Sequence, residues 1–538
     1  MLKHLDWLRL GRGVSIVKVG IILSLLGNFS ARAEMKSLTQ TLSPSDGARG
    51  TNMFNVRDFG VKGKGKGIET KALQHAIDAC AAVGGGKVVF PAGTYLTGTL
   101  FLKSGVTLYL EKDALLSASI NLSDYPRTIP ALRSYADNYT ERSLIYAENL
   151  ERVGIEGEGA IDGHGRLLSG PAKWRPYLLR FVACRGVTVK GVTLRNSAMW
   201  AQHYLACDDV CLEGVTVRNR CNINNDGMDI DSCHYVNISR CDISSEDDAI
   251  VLKSTLNRQC RDVKITECRL SSDNNALKLG TESMGGFANI RMSRCEIYET
   301  RNSGVALETV DGGVLENVEI SDLNMRAVAS PIFIRLGNRG LAQASLPKPG
   351  IGVLRRVRIS NVVATGANRI GCSIHGLPGH PVEDVSLENI RITCEGGGRE
   401  MLAQVPEFPA KYPEHSMFGV LPAYGFYCRH VTGLRFHNVE IDFVKKEQRP
   451  ALVCEDVANL ELAAWKGLKH PNLRLKQVAK AVLDGSPVSE AVAQASAPAA
   501  PGAAVAKEIP KTRKVFGVVP VDLGERVLAM FGLRKAEH

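Results

Sequence analysis

A short pattern of apolar positions recurs through the middle of the chain. It runs apolar, any, apolar, two variable residues, small or apolar, any, apolar, and its clearest copies begin 23, 26, 27, 27 and 28 residues apart. The copies are Val187-Val189-Val192-Leu194, Val210-Leu212-Val215-Val217, Val236-Ile238-Cys241-Ile243, Val263-Ile265-Cys268-Leu270, Ile290-Met292-Cys295-Ile297, Val318-Ile320-Leu323-Met325, Val357-Ile359, Val385-Leu387-Ile390-Ile392 and Leu434-Phe436-Val439-Ile441. Self-similarity at about 20–30 residues indicates a solenoid, and alternation with period two inside each copy indicates strands. The pattern therefore predicts an all-β chain, a right-handed parallel β-helix whose successive turns lie about 4.8 Å apart.

The segment before the repeats predicts a cap for the open end of this solenoid. Residues 69–98 read ETKALQHAIDACAAVGGGKVVFPAGTYLTG, an amphipathic helix followed by a glycine turn and strands. Terminal units of a solenoid must cover its apolar interior, so we expect the helix to lie over the first turn. Cys241, Cys268 and Cys295 share one position in three successive copies, which predicts an interior ladder of small apolar side chains.

The two ends of the chain differ in character from the repeats. Residues 1–33 have basic residues before the apolar stretch VGIILSLL and small residues in Ala31-Arg32-Ala33, which is typical of a signal peptide and predicts export to the periplasm or the extracellular space. An uncleaved anchor is the alternative. We assign residues 52–470 to the β-helix, 487–506 to a flexible Ala/Pro-rich linker and 507–538 to a basic C-terminal tail.

Composition narrows the classes of function. Hydrophobic residues make up 44% of the chain and charged residues 23%, which excludes disorder over its whole length. No apolar run reaches 18 residues, so we expect no membrane span in the mature protein. The net charge is +10, but residues 1–33 contribute +4 and residues 507–538 contribute +3, so the body is nearly balanced and indicates no nucleic-acid partner. Export permits disulfides among the 14 cysteines.

A second strand in each turn places polar residues on the outer face of the solenoid. Its apolar pairs, Met228/Ile230, Ile250/Leu252, Leu277/Leu279 and Val305/Leu307, should point inward, and their neighbours should point to solvent. Aligning the four segments stacks the neighbours as Asn225, Asp247, Asn274, Asn302; Asp226, Asp248, Asn275, Ser303; Asp229, Val251, Lys278, Ala306; and Asp231, Lys253, Gly280, Glu308.

Three carboxylates converge in this alignment. Asp226 and Asp248 are equivalent positions in adjacent turns, and Asp247 is their immediate neighbour. Their repulsion raises at least one pKa and leaves another group ionised, which is the separation that acid–base catalysis requires. Asp and Asn also terminate strands and form turns, and clustered carboxylates suit calcium, so a turn-forming role and calcium binding both stay open.

At this point the sequence resembles glycoside hydrolase family 28, the polygalacturonase family of pectin-cleaving enzymes. The resemblance covers about Phe54 to Leu462 and includes FNVRDFG, the glycine-rich stretch around KVVFPAGTYLTG, and AIDGHG. The family's Asn-Thr-Asp-Gly motif is matched by Asn224-Asn225-Asp226-Gly227, and its paired-aspartate motif is matched by Glu246-Asp247-Asp248. The resemblance implies a right-handed parallel β-helix and inverting hydrolysis.

The resemblance also implies roles for the three carboxylates. In that family the first Asp of the pair donates the proton, while the second Asp and the Asp of the first motif activate water. Carried over, Asp247 is the general acid, and Asp226 and Asp248 hold the water. Inverting enzymes separate acid and base carboxylates by about 6.5–9.5 Å, and we expect a gap of that size between Asp247 and the other two.

Two motifs of the family are altered here. Its Gly-His-Gly motif aligns with Asn274-Asn275-Ala276, so Asn275 stands where the histidine would be. Its Arg-Ile-Lys motif, which in polygalacturonases binds the galacturonate carboxylate, aligns with Ala306-Leu307-Glu308. These changes predict a neutral sugar, such as rhamnose, on at least one side of the cleaved bond. The alternative is that Lys253 and Lys278 replace the lost cations and that the substrate is ordinary polygalacturonan.

The sequence thus predicts an exported inverting glycosidase of pectin-related cell-wall polysaccharide. The predicted catalytic residues are Asp226, Asp247 and Asp248, and the predicted substrate-binding residues are Asn225, Lys253, Asn275, Lys278 and Glu308. We expect a polysaccharide or oligosaccharide substrate, a monomer, and neither metal nor cofactor. A β-helix polysaccharide lyase or epimerase and a non-catalytic carbohydrate-binding β-helix are the alternatives.

Overall fold

The computed structural model describes residues 52–135, 140–398, 404–466, 468 and 472–488. Its one α-helix within these residues is α1, Thr70–Ala82, and four short 3-10 helices cover Val56–Phe59, Leu122–Asp124, Gly165–Leu168 and Ala172–Trp174. The strands are β1 Met53–Asn55, β2 Gly86–Phe90, β3 Gly93–Thr97, β4 Leu100–Phe101, β5 Val106–Leu110, β6 Ala114–Ala118, β7 Ser143–Glu148, β8 Glu151–Gly157, β9 Ala160–Asp162, β10 Tyr177–Val182, β11 Arg185–Lys190, β12 Thr193–Arg195, β13 Gln202–Leu205, β14 Asp208–Glu213, β15 Thr216–Asn219, β16 Met228–Asp231, β17 His234–Ser239, β18 Asp242–Ser245, β19 Ile250–Ser254, β20 Cys260–Thr266, β21 Arg269–Ser272, β22 Leu277–Ser283, β23 Phe287–Thr309, β24 Val314–Leu336, β25 Val353–Ala367, β26 Cys372–His375, β27 Val382–Gly396, β28 Phe426–Lys445, β29 Leu452–Ala463, β30 Leu473–Leu483 and β31 Ser486–Val488.

The strands wind into a right-handed parallel β-helix, as the repeats predict. From β2 to β20 each strand pairs in parallel with the strand three places along, so that β10, β13, β16, β19 and β22 form one continuous sheet, called the first sheet below. The second sheet contains β8, β11, β14, β17 and β20, and the third contains β9, β12, β15, β18 and β21. Later turns run through longer strands that pass round the corners, from β23 onward.

The interior follows the apolar pattern position by position. Val210, Val236, Val263, Ile290 and Val318 are register partners in successive turns, and all are buried. Cys241, Cys268 and Cys295 are likewise buried in this core, which confirms the predicted ladder of small side chains. Each of the 14 cysteines, all of which fall within the described residues, carries a free thiol.

The two ends of the solenoid are closed differently. The predicted cap is α1, whose residues Leu73, Ala76, Ile77 and Cys80 are buried in the main core. At the other end the prediction of residue 470 falls short, because β30 adds a further parallel strand to β29 and β31 pairs antiparallel with β30. Residues 1–33, 507–538 and all but the first two residues of the proposed linker lie outside the described residues, so the signal peptide, the tail and export stay predictions. Among the described residues, no helix has the length and apolar character needed to cross a membrane.

The outer face of the first sheet is buried, which corrects the expectation that it faces solvent. The segment 404–424 (called the covering segment below) packs on the later turns that continue this sheet beyond β22. There Val405, Met417, Phe418 and Leu421 contact the outward-pointing residues Ala306, Phe333, Tyr427 and Val453 of β23, β24, β28 and β29. Asp229, Lys278 and Glu308 therefore lie outside the apolar core, yet each is almost inaccessible to solvent. A solenoid strand determines the direction of a side chain, whereas its exposure depends on what packs on top.

Candidate active site

The three predicted carboxylates meet where two adjacent turns enter the first sheet. Asp226 lies just before β16 and Asp248 just before β19, and the backbone N–H of Gly227 donates to the Asp248 carbonyl at 2.9 Å. A Cβ atom on Gly227 would stand 2.5 Å from the Ala249 carbonyl oxygen, so only glycine allows the turns to approach this closely. One oxygen from each of Asp226, Asp247 and Asp248 lies within 4.8 Å of the other two.

Asp247 is placed to carry a proton. Burial raises its pKa and the neighbouring Asp248 charge raises it further, while a hydrogen bond from Asn274 works in the opposite direction. That hydrogen bond runs from the Asn274 Nδ2 to the Asp247 Oδ1 at 2.6 Å. A carboxyl group with a raised pKa beside an ionised neighbour is suited to act as a general acid.

Asp248 forms the buried ion pair of the cluster. Its Oδ2 lies 3.1 Å from the Nζ of Lys278, and its Oδ1 accepts hydrogen bonds from the backbone and side-chain nitrogens of Asn275 at 3.1 and 2.8 Å. Both Asp248 and Lys278 are only 2% exposed. Opposite charges at this distance in a buried place stabilise the charged form of both partners. A calcium ion at this cluster would supply positive charge to the carboxylates. The Lys278 ammonium already supplies positive charge beside Asp248.

Asp226 completes the cluster and has an oxygen free to bind water. It is 3% exposed, and its Oδ1 has no hydrogen-bond partner among the described residues. Burial raises its pKa well above the usual range, and the charges of Asp229 and Asp247 raise it further. A buried oxygen without a partner is costly unless a water or ligand binds it, so this atom is a candidate position for a bound water.

Lys253 belongs to a second charged group beside the cluster. Its Nζ lies 3.1 Å from Glu282 and 3.7 Å from Asp229, and 4.9 Å above the ring of Trp200. Burial would lower the pKa of Lys253, but Glu282 and Asp229 raise it well above the usual range. The predicted stacking of Lys253 on Gly280 and Glu308 is interrupted, because the register shifts after Leu252. That irregularity brings Glu282, a residue absent from the sequence-based predictions, to the lysine.

The remaining predicted residues differ in what they contact. Asn225 is fully buried, with its Oδ1 accepting from the backbone of Cys221 and Asn222 and its Nδ2 donating to the carbonyls of Ser197 and Met199. Its amide is therefore occupied in shaping the loop that carries Asp226, which corrects its assignment to substrate binding. Asn275 uses its amide on Asp248 and on the Ser303 backbone, so it orients the carboxylate.

Tyr412 of the covering segment is a further residue that the sequence did not indicate. Its hydroxyl lies 3.0 Å from the Nζ of Lys278, and the same ammonium lies 5.2 Å from the centre of its ring. The two residues are 134 positions apart in the chain, and no periodicity links them. The covering segment thus extends to the edge of the carboxylate cluster.

Glu308 gives the fold a pH dependence that can be measured. Burial raises its pKa to about 8 from the ordinary value of 4.5, although Lys278 works against this. Between these two pH values Glu308 holds a proton in the folded state that it has lost in the unfolded chain. The contribution of Glu308 to stability is therefore complete below its pKa in the unfolded chain, and it disappears as the pH rises through its pKa in the folded state. Each pKa unit corresponds to about 1.4 kcal/mol. Between about pH 5 and pH 9, the free energy of unfolding of wild type should therefore fall by up to a few kcal/mol more than that of Glu308→Gln.

Urea unfolding of both proteins at the two pH values measures this difference directly. The comparison isolates Glu308 because Asp226 and Asp229, whose pKa values are also raised, titrate in both proteins. Glu319→Gln, a change at an exposed residue of β24, is the matched control and should follow wild type. Equal pH dependence in wild type and Glu308→Gln would show that Glu308 is ionised throughout.

The comparisons with known proteins agree with this geometry. Residues 80–412, which contain all three carboxylates, match the family described as glycosyl hydrolases family 28. The chain is 29% identical to a probable polygalacturonase of Vitis vinifera over 365 residues, covering 62% of this chain and 73% of that protein. It is 40% identical to an exo-poly-alpha-D-galacturonosidase of Dickeya chrysanthemi over 129 residues, 22% of this chain and 21% of that one. Its fold is similar to that of an exopolygalacturonase from Thermotoga maritima, with a TM-score of 0.58 at 22% identity over 73% of this chain and 92% of that one.

Proposed function

The chain belongs to family 28 of the glycosyl hydrolases, and from this premise we propose that it hydrolyses a pectin-related polysaccharide with inversion at the anomeric carbon. The observation that supports the proposal most is the meeting of Asp226, Asp247 and Asp248 within 4.8 Å of one another. We assign the general acid to Asp247, and the activation of water to Asp248 together with Asp226. The lyase and epimerase alternatives need a cation to neutralise a uronate carboxylate, whereas both lysines near the cluster are paired with carboxylates of this chain.

The proposed step balances its protons within this cluster. Asp247 donates its proton to the glycosidic oxygen, which leaves as the hydroxyl of the departing sugar. The water attacks the anomeric carbon, forms the new C–O bond from the opposite face and transfers a proton to the Asp248 carboxylate. Solvent then returns a proton to Asp247 and removes one from Asp248. Lys278 stabilises the anionic form of Asp248 before the attack, since it is ion-paired with that carboxylate.

The separation of the carboxylates differs from the expected value. The nearest oxygens of Asp247, Asp226 and Asp248 lie within 4.8 Å of each other, which is shorter than the gap of about 6.5–9.5 Å usual for inverting enzymes. The expectation of a wide gap is therefore wrong for the nearest oxygens. The proposal of inversion rests on family membership, and the anomer of the first-formed product tests it.

We further propose a neutral sugar on at least one side of the cleaved bond. Both lysines near the cluster already have carboxylate partners, Lys278 with Asp248 and Lys253 with Glu282. Neither ammonium is free to neutralise a uronate carboxylate of the substrate. Glu308, with its pKa raised to about 8, carries a proton at neutral pH and is able to donate a hydrogen bond to a sugar oxygen.

We expect kcat/KM to be at least about tenfold higher on rhamnogalacturonan-type oligosaccharides than on polygalacturonan oligosaccharides. Leaving one substrate carboxylate without a cation costs at least about 1.4 kcal/mol, which corresponds to that factor. Reducing ends measure the rate, ultraviolet absorbance detects unsaturated products, and NMR of the first-formed anomer gives the stereochemistry. Glu308→Lys should raise the relative rate on polygalacturonan, and Glu308→Gln is the control for loss of the carboxyl group.

Each outcome of this experiment separates one proposal from another. Faster cleavage of polygalacturonan would overturn the neutral-sugar proposal while keeping hydrolysis. Unsaturated products would indicate a lyase, and retention of configuration would require a covalent nucleophile. Binding without turnover on every substrate of the panel would favour the non-catalytic alternative.

A further inference from the structure

Two histidines and a carboxylate meet in a second place, separate from the aspartate cluster. His375 comes from β26, His430 comes from β28, and Glu407 comes from the covering segment. One candidate ligand atom from each of the three lies within 4.8 Å of the other two. His375 is completely buried and His430 nearly so. Two turns of the solenoid and the covering segment therefore contribute one group each.

Some polar atoms of this cluster lack the partners that their burial requires. Neither ring nitrogen of His375 has a hydrogen-bond partner among the described residues, and neither does the Oε2 of Glu407. Leaving buried polar atoms without partners is energetically costly, so such atoms are rare and indicate a place where a water or an ion binds. Of these atoms, the His375 Nε2 and the Glu407 Oε2 face each other at 3.7 Å, which favours a ligand that binds nitrogen and oxygen together.

The distances between these atoms suit a metal ion. The His375 Nε2 lies 3.7 Å from the Glu407 Oε2, and the His430 Nε2 lies 3.1 Å from the Glu407 Oε1. Ligands about 2.0–2.2 Å from a tetrahedral zinc ion are separated from one another by roughly 3.3 Å. Only small side-chain movements are needed for all three groups to reach one ion.

The surroundings of His430 and the local charges also fit. The Nδ1 of His430 lies 2.6 Å from an oxygen of Asp456, and a carboxylate on the second ring nitrogen is the usual support of a metal-binding histidine. Arg429 contacts Glu407 and lies 3.8 Å from Glu455. With Arg335 nearby, the carboxylates of Glu407, Glu455 and Asp456 outnumber the guanidinium groups by three to two, which leaves a net negative environment for a cation.

We propose that His375, Glu407 and His430 bind a divalent transition-metal ion, with zinc as the ion best suited to two imidazoles and one carboxylate. The ion joins the covering segment to the solenoid, because Glu407 lies on the former and both histidines on the latter. The same segment carries Tyr412, whose hydroxyl contacts the active-site Lys278. Metal binding therefore fixes the segment that borders the carboxylate cluster.

The test is zinc content and thermal unfolding of the full-length protein. After incubation with zinc and dialysis against metal-free buffer, wild type should retain about one zinc per chain by elemental analysis, and zinc should raise its Tm. His375→Ala and His430→Ala should lose both effects, while Asp456→Asn should weaken binding by about 10–100-fold. The matched control is His437→Ala, which removes an exposed histidine of β28 and should behave as wild type.

Two further variants keep the result interpretable. Glu407→Gln removes the charge of the carboxylate ligand without removing side-chain volume. It should lose the bound zinc, and it therefore tests the proposal even if His375→Ala does not fold. Asp247→Asn tests the other group of side chains within the described residues that could bind an ion, the aspartate cluster. This variant should retain zinc in full if the ion is bound by the histidines and Glu407. The proposal is overturned if wild type retains no zinc, if the histidine variants retain as much as wild type, or if zinc is lost only in Asp247→Asn. Zinc content does not depend on turnover, so this result is independent of the proposed hydrolysis.

Discussion

Asp247→Asn is expected to lower kcat by about 10²–10⁴-fold or more, the usual consequence of losing a general acid or base, while the β-helix stays folded. Asparagine has nearly the size of aspartate, and its side-chain oxygen can still accept the hydrogen bond from Asn274. What the variant loses is the proton that, in our proposal, Asp247 donates to the glycosidic oxygen. Initial rates on the preferred substrate give the effect, and circular dichroism with the Tm shows whether the fold is retained.

Asp248→Asn should lower kcat as strongly, for a different reason. The amide cannot take the proton of the attacking water, and the Lys278 ammonium loses the carboxylate 3.1 Å away. Asp242→Asn is the control, since Asp242 lies on β18 and pairs with Arg218 at 2.8 Å on a partly exposed surface. Turnover near the wild-type rate in both Asp247→Asn and Asp248→Asn would reject the assignment of the catalytic residues.

Lys278→Met is expected to lower the free energy of unfolding by about 3–5 kcal/mol, the usual cost of removing one partner of a buried ion pair. The substitution leaves Asp248 charged and buried, and it also removes the contact with the Tyr412 hydroxyl. Turnover should fall as well, because the carboxylate that we propose as the acceptor of the water proton loses its counter-charge. Urea unfolding at neutral pH measures the stability change.

Two controls identify the cause of that instability. Lys264→Met changes an exposed lysine of β20 and should alter the free energy of unfolding by no more than about 0.5 kcal/mol. Combining Lys278→Met with Asp248→Asn removes both buried charges and should recover part of the lost stability. If the double variant is less stable than Lys278→Met alone, packing of the lysine chain rather than the ion pair accounts for the effect.

The sequence by itself determined the solenoid and the convergence of the carboxylates. Residues of one turn recur at the same position of the next, because parallel strands pair residue against residue and the core accepts only apolar side chains. Met228, Ile250, Leu277 and Val305 are indeed successive partners inside the helix. Once that alignment is given, Asp226 and Asp248 must lie in adjacent turns, with Asp247 beside them.

The tertiary structure alone decided how deeply the site is buried and which groups complete it. The covering segment has no periodicity that relates it to the sheet, yet it places Tyr412 on Lys278 and Glu407 between His375 and His430. A shift of register after Leu252 brings Glu282 to Lys253. Periodicity records which side of a strand a residue occupies, because the regular interior repeats in every turn. It does not record what packs on the outside of the solenoid, because the segments that pack there do not repeat. Their contacts depend on the path of the folded chain.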